Sequence, residues 1–174
     1  MSSEITDKEV KTGNISIPNR GIKADTILEQ LSAMKGKDIP WQSGKVLAYV
    51  YEPTQETYSL TKDAYSMYLT ENALDPTAFP SLLKLETELV AMAVNLLGGD
   101  NSTVGNFTSG GTESIILAVK TARDYCREHK PEIKEPELIV GETAHAAFHK
   151  AGHYLGVKVI MLPVNKETFK VEPE

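Results

Sequence analysis

One cysteine, Cys126, stands in 174 residues, so no internal disulfide framework is available to the chain. Positive charge is also in deficit: 18 Lys and Arg against 24 Asp and Glu give a net charge of −6 and a pI near 5.3. That balance excludes the multi-phosphate neutralisation on which nucleic-acid binding depends. Long hydrophobic runs are missing too, since the longest weakly polar stretch, Leu89 to Gly98, is about half of the ~20 residues needed to span a bilayer. The opening residues, Met1 to Lys8, carry neither a basic n-region nor an apolar h-region. The expectation is a soluble, cytoplasmic protein with no membrane and no nucleic-acid partner. What remains is ordinary for a globular chain: 41% hydrophobic and 24% charged residues, enough for one sizeable core.

Two parts are expected, an N-terminal arm with a small segment over 1–56 and a larger domain over 57–174. Residues 1–20 are polar and broken by Gly13 and Pro18, which reads as an arm. Ile27, Leu28, Leu31 and Met34 recur at helical spacing from Ala24 to Lys35, with Asp25 as cap or first-turn acid. Gly44 to Tyr51 is β-prone and ends at Pro53, and Thr57 to Leu69 predicts a helix. After the breaks at Pro76 and Pro80, Ser81 is placed to cap a helix over Leu82–Leu97. Its apolar stripe is Leu82, Leu85, Leu89, Met92, Ala93 and Leu96, and Gly98-Gly99 ends it. A strand through Val104–Phe107 follows, then a helix from Thr112 to about Glu128 with Cys126 as a small inward residue. Leu138–Val140 predicts a second strand, Ala144–Leu155 a helix and Val157–Leu162 a third strand. Alternation of this kind with short connections predicts an α/β fold with a mostly parallel sheet.

In such sheets ligands sit beyond the carboxyl ends of the strands, and two loops fall there. The first is Thr108-Ser109-Gly110-Gly111-Thr112-Glu113-Ser114. Its glycines let the backbone approach a ligand, and the N–H groups opening the following helix point at an anion with the helix dipole behind them. Thr108, Ser109, Thr112 and Ser114 add hydroxyl donors. The plainer alternative is a polar turn capped by Ser109 or Thr112. The second loop, Gly141 to His145, occupies the same place one β-α unit later. His145 there is suited to stack on a flat ring, donate a hydrogen bond or move a proton. His145, His149 and His153 share a helix face at i, i+4 spacing. Ala146 follows His145, so the Glu of a His-Glu-x-x-His zinc motif is absent, and no metal is expected.

The combination of Thr108–Ser114, Ala144-His145-Ala146-Ala147-Phe148-His149-Lys150-Ala151, Leu155-Gly156-Val157, and the upstream Asn72–Ser81 and Glu86–Val90 resembles the group II pyridoxal-5′-phosphate decarboxylase family. Within it the sphingosine-1-phosphate lyase type is most similar. The resemblance runs from about Gly44 to Leu162. It implies part of a fold-type-I, aspartate aminotransferase-like large domain in an enzyme that is a homodimer at full length and acts on a small-molecule amine. It implies that pyridoxal 5′-phosphate is held by Ser109, Gly110, Gly111 and Thr112, and that His145 stacks on its ring as a catalytic residue. Tyr51, Asn72 and Asp75 are implied to lie near substrate. Lyases of this type often have histidine where this chain has Asp75, and a carboxylate there disfavours a phosphate headgroup.

Family members are longer, and the lysine that anchors the cofactor covalently lies beyond Glu174. Lys120 and Lys150 fall within helices, away from the expected setting. The leading expectation is therefore the N-terminal part of a pyridoxal-phosphate carbon–carbon lyase or decarboxylase, cut after its third strand and inactive alone. The rival is a non-catalytic phosphate-binding or assembly protein derived from such an enzyme.

Overall fold

The computed structural model describes residues 16–171. Most of the arm expected over residues 1–20 lies outside them. Contacts divide the chain after Leu69 into two compact units.

In the first unit, α1 (Ala24–Lys35) places Asp25 in its first turn and Lys35 in its last, matching the helix dipole at both ends. A single 3-10 turn at Trp41–Ser43 closes on Gly44, whose φ of 74° suits a residue without Cβ. α2 (Gln55–Met67) starts at Thr54, whose hydroxyl accepts from the Thr57 N–H at 3.3 Å. The strand expected at Gly44–Tyr51 is not formed. Tyr49 sits in the left-handed region at φ 70°, which breaks an extended run, and the segment has no strand partner among the described residues.

The second unit carries α3 (Pro80–Leu96), α4 (Gly111–His129), β1 (Glu137–Gly141), α5 (Ala146–Leu155) and β2 (Lys158–Leu162). Pro80, not Ser81, opens α3: proline's fixed φ and missing N–H suit the first helical position, and Phe79 is the cap residue. The segment after α3 folds back along it. Asp100 anchors this turn by accepting from the Ser102 N–H at 2.9 Å, and Gly105 comes so close that a Cβ would lie 3.1 Å from Val90 Cγ1. Val104–Phe107, expected as the first strand, forms no strand and pairs with none of those described. A strand exists through its ladder, and no neighbour among the described residues supplies one. The described sheet therefore has two strands, not three.

β1 and β2 pair in parallel, with Glu137 opposite Lys158 and Gly141 opposite Leu162. α5 is the crossover between them. Val119, Ala151 and Val157 form the buried core, with Ile116, Leu138, Phe148 and Leu155 packed around it. α5 comes close because the residues it buries are small: Ala147, Ala151 and Gly152. A Cβ at Gly152 would overlap Val159 Cγ2 and lie 2.8 Å from the Val157 carbonyl oxygen. After β2 the chain turns back in a hairpin whose Val164–Val171 bridge seats against Gly141. Cys126, expected inward, is half-buried at the lip of a cleft of about 390 Å³ that α4 forms with residues 133–138.

Candidate active site

Two helix starts define the site, and the fold brings them to one edge. α5 leaves β1 beyond Gly141 and returns to β2 at Lys158, so its first residues stand at the carboxyl end of the strands. The later turns of α4, from Ala118 to Cys126, pack over Pro136, Glu137 and Val157 at the opposite end. The Arg123 guanidinium donates to the Leu155 carbonyl at 3.0 Å. With Ile116 and Val119 sharing a core with Phe148 and Ala151, the two helices run side by side in the same direction. Counting back at 1.5 Å per residue, Gly111 lies about 18 Å and Ala146 about 14 Å before that contact. Both N-termini thus reach the strand ends within about one turn of each other.

Gly110 is the cap residue of α4, and no side chain caps the helix. Neither Ser109 nor Thr112 takes the capping place expected from the sequence. The first helical bond runs from the Ser114 N–H to the Gly110 carbonyl at 3.1 Å, which leaves the N–H groups of Gly111, Thr112 and Glu113 ahead of it. A Cβ at Gly110 or Gly111 would meet nothing within 4 Å, so no other part of the described chain crowds these two Cα positions. Gly110 has φ 163°, which is extended backbone. Close approach, not left-handed geometry, is what glycine offers here.

Hydroxyls around the loop are already committed. Thr108 Oγ1 and Ser114 Oγ lie 2.6 Å apart, so one donates to the other, which in turn donates to the Gly110 carbonyl 3.2 Å away. Ser109 gives both its N–H, at 2.7 Å, and its hydroxyl, at 2.6 Å, to one oxygen of Glu113. These two donations hold the Glu113 carboxyl below its ordinary pKa, the Ser109 hydroxyl contributing most. The Thr112 side chain is exposed at the mouth of the loop. Sequence reasoning missed the Glu113 tie, because with glycine as the cap the Ser/Thr-x-x-Glu signal of a capping box is absent and Glu113 reaches the residue before the cap.

His145 is the cap of α5, which begins at Ala146, two residues later than the expected start at Ala144. Its Nδ1 accepts from the Ala147 N–H at 3.1 Å. An accepting Nδ1 is unprotonated, so the proton of the neutral ring is on Nε2, and the cap bond fixes the ring's orientation. The imidazole itself is exposed. His149 is half-buried and His153 exposed on later turns, and among the described residues no three His, Cys, Asp or Glu side chains converge as metal ligands.

Asn72 and Asp75 order the turn before α3. Asn72 Oδ1 accepts from the Leu74 N–H at 3.1 Å; Asp75 Oδ1 accepts from the Thr77 hydroxyl at 2.6 Å and N–H at 2.8 Å. The Thr77 hydroxyl, and then its N–H, lower the Asp75 pKa, so its carboxyl is ionised near neutrality. Tyr51 belongs to the other unit and is exposed.

The site residues fit the phosphate of a pyridoxal cofactor: a 19-residue helix opens with no side-chain cap behind two uncrowded glycines, and an oriented imidazole stands at the start of its neighbour. Parallel strands with helices packed on them make this a partial α/β fold, with two helix starts at the carboxyl edge of the sheet. The chain belongs to the pyridoxal-dependent decarboxylase family, whose conserved-domain profile matches residues 9–173. Its relatives include sphingosine-1-phosphate lyases of Dictyostelium discoideum, 38% identical over 94% of this chain and 31% of that protein, and of Oryza sativa, 43% identical over 87% and 29%. The solved structure of a Burkholderia pseudomallei sphingosine-1-phosphate lyase superposes with a TM-score of 0.80 at 34% identity, covering 91% of this chain and 38% of that one. The chain spans about a third of the length of these relatives. Among the described residues no helix is long and apolar enough to cross a membrane.

Proposed function

We propose that this chain carries the phosphate- and ring-binding part of a pyridoxal-phosphate carbon–carbon lyase or decarboxylase that acts on a small amine. The N–H groups of Gly111 and Thr112, with the Thr112 hydroxyl, hold the cofactor phosphate. The dipole of α4 stabilises its negative charge. His145, held in place by its bond to the Ala147 N–H, covers the ring and offers Nε2–H as a donor toward substrate. When bound, pyridoxal phosphate supplies an electron sink for the pair released as a bond to the amine-bearing carbon breaks. The ionised Asp75 repels a phosphate headgroup wherever the two approach, so an amine without a headgroup phosphate is the favoured substrate class. The open, uncapped start of α4 beside the α5 cap carries this reading.

Turnover also requires a lysine that these loops do not supply. Lys120 is engaged with Asp124 at 2.6 Å, and Lys150 lies 5.4 Å over the Tyr154 ring, both within helices. The chain alone therefore binds the cofactor reversibly. Absorption between 300 and 500 nm after mixing with pyridoxal phosphate tests this: the signal is expected to be lost on dialysis. A species that survives dialysis, and that borohydride fixes to one lysine, would overturn it.

A further inference from the structure

We propose that Glu113 is the positioning residue of the phosphate loop and that Ser109 serves the anion only through it. This inference rests on reading the α4 start as the phosphate site. A serine hydroxyl has one proton, and that of Ser109 goes to Glu113 at 2.6 Å; its backbone N–H goes to the same oxygen at 2.7 Å. Both donors of Ser109 are spent, so the anion is left with the amides of Gly111, Thr112 and Glu113 and the Thr112 hydroxyl.

A carboxylate one turn from an anion site is unfavourable by Coulomb's law alone. Its presence calls for a compensating gain, and the geometry supplies one. Glu113 grips residue 109 from within the helix, while Ser114, the next residue, meets Thr108 at 2.6 Å and donates to the Gly110 carbonyl. Two neighbouring residues of the first turn thus brace the three residues that lead into it. The loop is held in the shape that opens the Gly111 and Thr112 amides outward before any ligand arrives, which spares binding the entropy of ordering it.

Hydrogen exchange and binding on the whole chain test the inference together. In the free wild-type chain the Ser109 amide should be protected, and Glu113→Ala should remove that protection. The same variant should weaken binding of pyridoxal phosphate and of inorganic phosphate by about fivefold, the scale of a lost cap. Glu113→Gln keeps an acceptor and loses the charge; it should retain much of the protection and bind phosphate at least as well as wild type. Ser109→Ala should add nothing to Glu113→Ala in the double variant, because the two act as one unit. A Ser109 amide as unprotected in wild type as in Glu113→Ala overturns the inference. So does a fully additive double variant, which would make Ser109 a direct phosphate donor. Failure of the wild-type chain to bind either probe is a different result and sinks the phosphate-site reading itself.

Discussion

Gly110 and Gly111 differ physically from Gly152, although all three lie at or within a helix. A Cβ at Gly111 meets nothing within 4 Å, and alanine at a first helical position removes some of glycine's unfolded-state entropy. Gly111→Ala should therefore leave the melting temperature unchanged or slightly raised. Its methyl group, however, fills the open space beside the two amides assigned to the phosphate. Pyridoxal phosphate affinity should fall by at least about tenfold, equivalent to roughly 1.4 kcal/mol. Thermal melts and a binding titration on the same preparation check both halves; unchanged affinity would detach Gly111 from the site. The glycine pair was legible in the sequence as a phosphate loop, but its working detail was not. Which residue caps α4, and that Ser109 is tied to Glu113, depend on backbone angles that shift a cap by one residue without any change in composition.

Among the elements, the helices were readable because their apolar positions recur at a fixed period, and their ends were set by Thr54, Pro80, Gly110 and His145 to within a residue or two. The strands were less so. Leu138–Val140 and Val157–Leu162 read as strands and pair as β1 and β2. Val104–Phe107 carries Gly105 and Asn106, both poor strand formers, and pairs with nothing described, since a ladder is a property of the neighbour as much as of the segment. The α5–sheet contact shows what packing adds. With Gly152 against Val159 and the Val157 carbonyl, Gly152→Ala should destabilise the second unit by about 1–3 kcal/mol through overpacking, even though alanine is the better helix former. Denaturant unfolding measures it; a stabilised variant would mean that α5 does not sit this close to β2.

For the molecule as a whole, few residues are buried: Val119, Ala147, Ala151 and Val157 are the buried hydrophobics among the described residues. The stripe on α3 that reads as core from its period is exposed along Leu85, Leu89, Met92 and Leu96, the last at 86%. Ile139 and Met161, on opposite faces of the sheet by the strand register, are likewise exposed. Period identifies which face of an element is apolar, but not what covers it. The site does not depend on those faces, because both of its helix starts belong to one packed unit. Amide spectra of the isotopically labelled chain during titration with pyridoxal phosphate, inorganic phosphate and pyridoxal address that unit at single-residue resolution. The Gly111 and Thr112 amides should shift with the two phosphate-bearing probes and not with pyridoxal, while the His145 ring responds to pyridoxal phosphate. Saturating pyridoxal phosphate that leaves Gly111 and Thr112 unmoved would contradict the assignment of the α4 start as the phosphate site.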